Sequence, residues 1–342
     1  MDVTILICTH NSAKRLPETL ACLMKQITSK DLSWEVLIVD YKSSDDTNEV
    51  VQKVWSNFHI LLRIIEEKQA GKTPALETGL RAAMGEAVCI IDDDNWIDPD
   101  FISIADKIIK QYPDVGVIGA QGIAQCEIEP PDWFVENQGI YAVGHQGDKA
   151  GYVENEKRRW FWGAGSVIRK QAWIKAKDKG FKPIFNPSRE SAIGKFKKGF
   201  SGGEDPEMCF AIQLVGYKLW YEPSLCYRHF IPKNRLQESF VSDATEGTSK
   251  AAPLLRIYLA ELTAKRFLGR FRKLIYQNWI FHNFFLVTRF GQQVTSNIFS
   301  KDENRKLNHL RITKEYKSQL DMMWELRSDF SEYVKSIKEL KQ

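Results

Sequence analysis

Over the first 120 residues, short runs of β-branched and aliphatic residues alternate with segments whose apolar positions recur at helical spacing, and nothing else in the sequence constrains the fold as strongly. Residues 3–8 read as a buried strand. Leu16, Leu20, Leu23, Met24 and Ile27 form the apolar stripe of a following helix. The cycle repeats as strand 35–39, helix 46–58, strand 60–65, helix 74–84 and strand 87–91, with Thr73-Pro74 suited to start a helix. Asp98-Pro99 repeats that start signal before Phe101, Ile102, Ile104, Ile108 and Ile109, and residues 115–120 read as a further strand. Such an order predicts an α/β fold, βαβ units around a mainly parallel central sheet. From 121 to about Ser201 the pattern loosens into a stretch rich in aromatic residues, Gly and Pro. A helical run around 206–215, a strand at 218–221 and a helical reading from Pro253 onward complete the chain.

Composition matters mainly through where the charge lies. The total is only +4, from 48 Lys and Arg against 44 Asp and Glu, which implies no nucleic-acid partner. Residues 251–342 carry 17 basic and 9 acidic side chains, a surplus of +8, so the first 250 residues carry −4. The six cysteines (Cys8, Cys22, Cys89, Cys126, Cys209, Cys226) include no Cys-x-x-Cys pair and read as reduced thiols. The first residues hold no basic leader or cleavage site, so a cytoplasmic location is expected. The most apolar late segment, 274–288, includes Gln277, Asn278, His282 and Asn283 and is too short to span a bilayer.

In open α/β sheets ligands bind beyond the carboxyl ends of strands, which directs attention to the residues after each strand. Thr9-His10-Asn11-Ser12 follows the first and is neither a Gly-x-Gly-x-x-Gly turn nor a phosphate loop. Asp40 follows the second, where a carboxylate can accept hydrogen bonds from a base or ribose. Asp92-Asp93-Asp94-Asn95 follows Ile90-Ile91. Adjacent carboxylates resist joint ionisation unless a cation or donors hold them, and an all-oxygen set favours Mg²⁺ or Mn²⁺. A solvated acidic turn is the plainer alternative; the place after a buried strand favours the metal.

Three other constellations stand out. Gly202-Gly203-Glu204-Asp205-Pro206 places two carboxylates at a helix start, either as a cap with Pro206 in the first helical position or as a site for a general base. His229, read as following a strand and set among aromatic residues, is either a satisfied core histidine or a further metal ligand. Trp160-Phe161-Trp162-Gly163-Ala164-Gly165 is either bulky core or a sugar-stacking surface with glycines that let backbone approach a ligand.

Taken in order, Thr9-His10-Asn11, Asp40, Ala70-Gly71-Lys72-Thr73-Pro74, Asp92-Asp93-Asp94-Asn95, the Trp-Gly-Ala-Gly stretch and Gly203-Glu204-Asp205 resemble the family 2 glycosyltransferases over roughly residues 1–230. The resemblance implies a GT-A nucleotide-sugar-binding domain, residues 1–245, followed by a basic helical C-terminal extension, 246–342. It implies an inverting, metal-dependent transferase moving one sugar from a nucleotide-sugar, usually a UDP-sugar, to a hydroxyl of a saccharide or lipid-linked saccharide. Surface polysaccharide or glycolipid assembly is the expected setting. By resemblance, Thr9, His10, Asn11 and Asp40 hold the nucleoside, Lys72 meets the nucleotide, and Asp92 and Asp93 lie at the donor with Gly163 and Gly165. Asp94 matches the metal ligand of the family's Asp-x-Asp motif, and His229 is the candidate to complete a Mn²⁺ or Mg²⁺ site. Asp205 matches the catalytic base, with Glu204 beside it, and Trp160 and Trp162 are placed to stack on the acceptor. The chain departs from the family in Asp40-Tyr41-Lys42-Ser43, where Asp-Asn-x-Ser is frequent, and in Asn95, where a further acid is frequent. It has no Gln-x-x-Arg-Trp, the mark of processive synthases, so transfer of a single sugar is expected.

Two rivals remain open at this point, a sugar-nucleotide pyrophosphorylase and a non-catalytic nucleotide-sugar or glycan-binding module on a membrane. In residues 254–273, Leu254, Leu255, Tyr258, Leu259, Leu262, Phe267, Leu268 and Phe271 interleave with Arg256, Lys265, Arg266, Arg270, Arg272 and Lys273. The region 254–290 is therefore either a helix at an anionic membrane surface, which would make the protein peripheral on the inner face, or an appendage packed on the catalytic domain. Arg189, Lys195, Lys197 and Lys198 are either a solvated loop or contacts for a lipid pyrophosphate.

Overall fold

A computed structural model describes residues 1–153, 159–185, 202–263, 267–299 and 303–341. Arg189, Lys195, Lys197 and Lys198 lie outside the described residues, as do Lys265 and Arg266. The chain divides into two compact units, Met1–Asp178 with Val215–Gln237, and Lys179–Leu214 with Glu238–Gln342.

The first unit is α/β, as the alternation predicts. Strands β1 (Val3–Thr9), β2 (Trp34–Asp40), β3 (Leu61–Glu66) and β4 (Ala87–Ile91) alternate with helices α1 (Leu16–Met24), α2 (Thr47–Trp55) and α3 (Lys72–Ala82). There follow β5 (Asn95–Ile97), α4 (Phe101–Gln111), β6 (Val115–Cys126), α5 (Phe134–Asn137), β7 (Gly151–Tyr152), β8 (Val167–Arg169), α6 (Lys170–Asp178) and, later, β9 (Lys218–Ile231). The strands form one sheet in the order β3-β2-β1-β4-β8-β6-β9-β5, with β7 on β9. Every residue of β1, β2 and β4 is buried, the mark of strands covered on both faces. Leu16, Leu20 and Leu23 of α1, Val51 and Trp55 of α2, and Phe101, Ile102, Ala105, Ile108 and Ile109 of α4 pack on them in one core.

The sheet is mainly parallel, as expected, with short antiparallel additions: β1, β2, β3 and β4 pair in parallel, whereas β8 is antiparallel to both its neighbours and β5 and β7 are antiparallel to β9. Several finer expectations are corrected. Strand β6 runs on to Cys126 and β9 to Ile231, because the two form a long parallel ladder that satisfies backbone groups in segments whose residues look loop-like. His229 therefore lies within a strand. Helix α3 starts at Lys72, because Gly71 adopts φ 118°, a conformation open to glycine, and turns the chain into the helix before Thr73-Pro74. Asp100, past Pro99, precedes α4. Helix α1 ends at Met24, leaving Ile27 70% exposed outside the stripe.

The second unit is helical: α7 (Glu204–Leu214), α8 (Glu238–Thr263), α9 (Phe267–Tyr276), α10 (Trp279–Phe299), α11 (Glu303–Glu325) and α12 (Phe330–Glu339). Helix α8 begins well before Pro253, which sits inside it, buried with Ala251, Leu254, Ile257 and Tyr258. That packing offsets the hydrogen bond proline removes. Leu254 and Tyr258, which the sequence pattern leaves as either membrane-facing or packed, are thus interior residues of α8. Buried Glu261 near the end of α8 accepts Lys273 of α9 at 2.9 Å and the Gln277 amide, joining these segments. Among the described residues no helix is long and apolar enough to cross a membrane. All six cysteines are free thiols.

At the start of β2, the end of the strand opposite Asp40, Glu35 is fully buried and accepts Thr4 Oγ1 at 2.8 Å, the Met84 amide at 2.8 Å and a forked pair from Arg63 at 2.8 and 3.0 Å. Burial alone would raise its pKa; Arg63, the Met84 amide and Thr4 reverse that and hold it below the ordinary value. Removing one partner of a buried pair strands the other charge. Arg63→Ala is expected to lower unfolding free energy by about 3 kcal/mol in denaturant melts, and Glu35→Gln together with Arg63→Met by clearly less.

Candidate active site

The strand ends gather the acidic triplet, and each carboxylate faces a different partner. Lys72, the first residue of α3, pairs with Asp92. Arg15, just before α1, reaches Asp93 through Nε at 3.0 Å and a second nitrogen at 3.1 Å. Thr9 Oγ1 donates to the same carboxylate at 3.0 Å and Ser12 also bonds it, while Thr19 Oγ1 donates to the Asp93 carbonyl at 2.9 Å. Asp93 thereby ties the 9–15 loop to the end of β4. Two parallel N–H···O contacts are the strong form of an Arg–carboxylate pair.

Asp94 is 7% exposed and points the other way. Its Oδ1 lies 3.5 Å from His229 Nε2 and its Oδ2 3.6 Å from an Arg235 guanidinium nitrogen. The cross-strand pair Asn95–His229 between β5 and β9 sets this meeting, helped by the Phe230 amide on the Asp94 carbonyl at 2.9 Å. His229 Nδ1 is 2.6 Å from the Tyr141 carbonyl, which only accepts, so Nδ1 carries the proton and a neutral ring turns its Nε2 lone pair toward Asp94. Burial would lower the imidazole pKa, and Asp94 and Asp92 more than reverse that, so it stands above the ordinary histidine value.

Among the described residues no three His, Cys, Asp or Glu side chains converge as a metal cage. The protein offers two donors here, one carboxylate and one imidazole whose far nitrogen is fixed by a carbonyl. Such a pair fits Mg²⁺ or Mn²⁺, which take one or two protein ligands and complete the shell with substrate phosphates and water. A cavity of about 240 Å³ adjoins Asp94, lined also by Lys14, Arg15, Glu18, Trp96 and Phe230.

The remaining residues of this unit read differently one by one. Asp40 ends β2 and is buried, its oxygens accepting the Ser43 amide at 3.0 Å and the Asn48 amide group at 2.8 Å. His10 is exposed, stacked on Tyr41 with ring centres 5.4 Å apart, and its Nδ1 is 2.9 Å from the Tyr41 carbonyl. Asn11 takes φ 50° and its Oδ1 accepts the Ser44 amide at 2.7 Å, a conformation asparagine tolerates better than most residues. Gly165 has φ 69° and a Cβ there would meet the Tyr227 ring at 2.4 Å; its amide donates to Ile90, so the Gly163–Gly165 turn is laced to β4. Trp162 is buried and its amide donates to Gln146 Oε1 at 2.9 Å, whereas Trp160 is half-buried.

The Glu204-Asp205 pair belongs to the helical unit and opens α7. The Glu207 amide bonds the Gly203 carbonyl at 3.0 Å, so Gly203, at φ 103°, precedes the helix and Pro206 is its third residue, not its first. Neither carboxylate is the cap residue, and both are half-buried in the first turn, where the free amides and helix dipole favour anions. Glu207, one turn on, is 1% exposed. It accepts the Ile184 amide at 2.9 Å and the Tyr258 hydroxyl at 3.0 Å, fastening the start of α7 to α8.

The sequence profile of Glycosyl transferase family 2 matches residues 4–178, just over half of the chain. The chain belongs to that family. The poly(ribitol-phosphate) β-N-acetylglucosaminyltransferase TarS of Staphylococcus aureus strain Mu50 is 29% identical over 124 residues, 36% of this chain and 22% of TarS. The dolichyl-phosphate β-glucosyltransferase ALG5A of Trichomonas vaginalis is 27% identical over 113 residues, 32% of this chain and 35% of that protein. The chain thus matches only about a fifth to a third of the length of these relatives. The crystal structure of S. aureus TarS 1–349 in complex with UDP-GlcNAc superposes over 96% of this chain and 92% of that one, with a TM-score of 0.55 at 16% identity, a likeness of fold.

The family 2 match covers Thr9, His10, Asn11, Asp40, Lys72, Asp92 to Asp94, Trp160, Trp162, Gly163 and Gly165, and ends before Glu204, Asp205 and His229. Sequence reasoning passed over Arg15, Arg235, Tyr141 and Glu207. Arg15 had one usable signal, its place just after Thr9-His10-Asn11-Ser12; the others depend on long-range contacts. Burial pushes Glu207 up to about 8, against the pull of the Ile184 amide and Tyr258. A carboxyl raised on folding stabilises the protein fully below its unfolded value and loses that contribution as pH rises through the folded one. The chain is therefore expected to lose thermal stability between about pH 5 and 8 by more than Glu207→Gln does, measured as the difference between their melting curves across that range.

Proposed function

We propose that this family 2 domain is an inverting, metal-dependent glycosyltransferase that moves one sugar from a UDP-sugar to a hydroxyl of a saccharide or lipid-linked saccharide, in surface polysaccharide or glycolipid assembly. One observation carries the reading: in a family 2 domain, Asp92, Asp93 and Asp94 stand at the end of β4 with Asp94 3.5 Å from His229 Nε2. The catalytic domain is taken as residues 1–245 and the basic helical extension as 246–342.

Each residue then has a task. Thr9, His10, Asn11 and Asp40 receive the nucleoside, and Asp93 acts through its hold on the 9–15 loop. Lys72 and Asp92 meet the nucleotide, with Gly163 and Gly165 shaping the donor side and Trp160 offering a ring to the acceptor. Asp94 and His229 hold the divalent cation, which when bound neutralises charge developing on the departing diphosphate. Asp205 accepts the proton of the acceptor hydroxyl as that oxygen attacks the anomeric carbon opposite the leaving group, and Glu204 orients donor or acceptor beside it. General-base assistance of this kind contributes about 10²–10⁴ in rate.

Three measurements test the reading. Asp205→Asn keeps nucleotide binding and loses at least roughly 10²-fold in turnover; near-normal turnover removes Asp205 from the role. Asp94→Ala loses the Mn²⁺-dependent part of the thermal stabilisation by UDP, and an unchanged shift refutes its ligand role. Incubation of the full chain with UDP-sugars and Mn²⁺ releases UDP, and the anomeric configuration of the product reports inversion. Release of nucleoside triphosphate on adding pyrophosphate would favour a pyrophosphorylase, and binding without turnover a non-catalytic module.

A further inference from the structure

Helices α9 and α10 leave an unusual amount of apolar surface uncovered. Phe271 and Leu274 of α9 are each 61% exposed, and Ile280, Phe281, Phe284 and Val287 of α10 are 68, 49, 68 and 53% exposed. Spaced by one, four and seven residues, the four on α10 fall within about 120° of arc and so form one stripe. Isolated exposed apolar residues need no explanation, whereas a stripe of large ones marks a contact surface.

The charge along this segment has one sign. From 262 to 301 the chain carries seven Lys and Arg and no Asp or Glu. Arg270, Arg272 and Arg289 are exposed beside the apolar residues. The last acid before the run, Glu261, is buried and paired with Lys341 and with Lys273, one of the seven, so it offsets none of the charge on Arg270, Arg272 and Arg289. A second copy of the same face would set like charge against like, while anionic headgroups complement it and hydrocarbon takes the rings. Among the described residues neither helix is long and apolar enough to span. We propose that α9 and α10 lie in the surface of an anionic phospholipid bilayer, with Phe281 and Phe284 inserted and Arg270, Arg272 and Arg289 at headgroup level. This face lies within the 254–290 region that the sequence pattern offers for an anionic surface and keeps Phe271, Arg270 and Arg272, but leaves out Leu254 and Tyr258, which are interior.

The test is co-sedimentation of the full chain with vesicles of phosphatidylcholine alone and of phosphatidylcholine with roughly one third phosphatidylglycerol. Partition onto the anionic vesicles should exceed that onto the neutral ones by about tenfold or more at low salt and fall as salt rises. Phe281→Asp with Phe284→Asp should cut it at least about tenfold while circular dichroism and UDP-dependent thermal shift are unchanged. Arg270→Glu with Arg272→Glu, which leaves every apolar residue of the face in place, should weaken anionic binding alone and serves if the first pair fails to fold. Equal or absent partition onto both vesicles overturns the proposal. So does light scattering that shows a dimer which Phe281→Asp with Phe284→Asp turns into a monomer, since a second copy then covers the face. UDP release in the absence of vesicles is independent of both results.

Discussion

Placing Asp92, Asp93 and Asp94 in a row at the end of a buried strand is a constraint that the surrounding loops are built to meet. Two unit charges about 4 Å apart repel by about 4 kcal/mol at an effective dielectric of about 20, a large fraction of the stability of a typical domain. The chain does not spread this repulsion through solvent. Lys72 takes Asp92, Arg15 takes Asp93, and His229 with Arg235 faces Asp94. Each partner comes from a different part of the chain, so compensating the charge also fastens the 9–15 loop, the start of α3 and the end of β9 around one point.

The sheet makes that convergence possible. Its parallel half brings the ends of β1, β2 and β4 side by side, which places Thr9, Asp40 and Asp92 at one rim. Its antiparallel half does the rest: β5 turns back from the triplet to pair with β9, and the Asn95–His229 register sets the imidazole against Asp94. Slipping that register by one residue would turn His229 to the opposite face. The long ladder between β6 and β9 makes such a slip costly, since it would break many hydrogen bonds together. At the opposite end of the strands, Glu35 joins β1, β2 and β3 through Thr4 and Arg63, and the Met84 amide, in a buried network that has no part in the rim chemistry.

The helical unit uses buried acids in the same manner. Glu207 holds the first turn of α7, and with it Glu204 and Asp205, to α8 and to the 184–185 backbone. Glu261 holds α8 to α9 and to Lys341. Family 2 membership rests on residues 4–178, so the features beyond them, Glu204, Asp205, His229 and the basic helices, stand on local geometry and on the roles proposed for them.

Much of this was legible in the residues alone. The run of buried aliphatic strands, the helices between them and the acidic triplet after β4 are local signals, since period, β-branching and like charge act between near neighbours. Helix starts were misplaced at α3 and α8 because Gly71 and the packing around Pro253 outweigh the usual signals of threonine, aspartate and proline. The extensions of β6 and β9 carry no strand pattern of their own and exist because each satisfies the other's backbone. Which cation meets which aspartate, which nitrogen of His229 faces Asp94, and which side of the basic helices is left uncovered depend on pairs far apart in sequence. Sequence therefore determines the fold class and the chemical types at the strand ends, while tertiary structure decides their pairing, because hydrogen bonds and ion pairs act over a few ångströms that only the folded chain brings together.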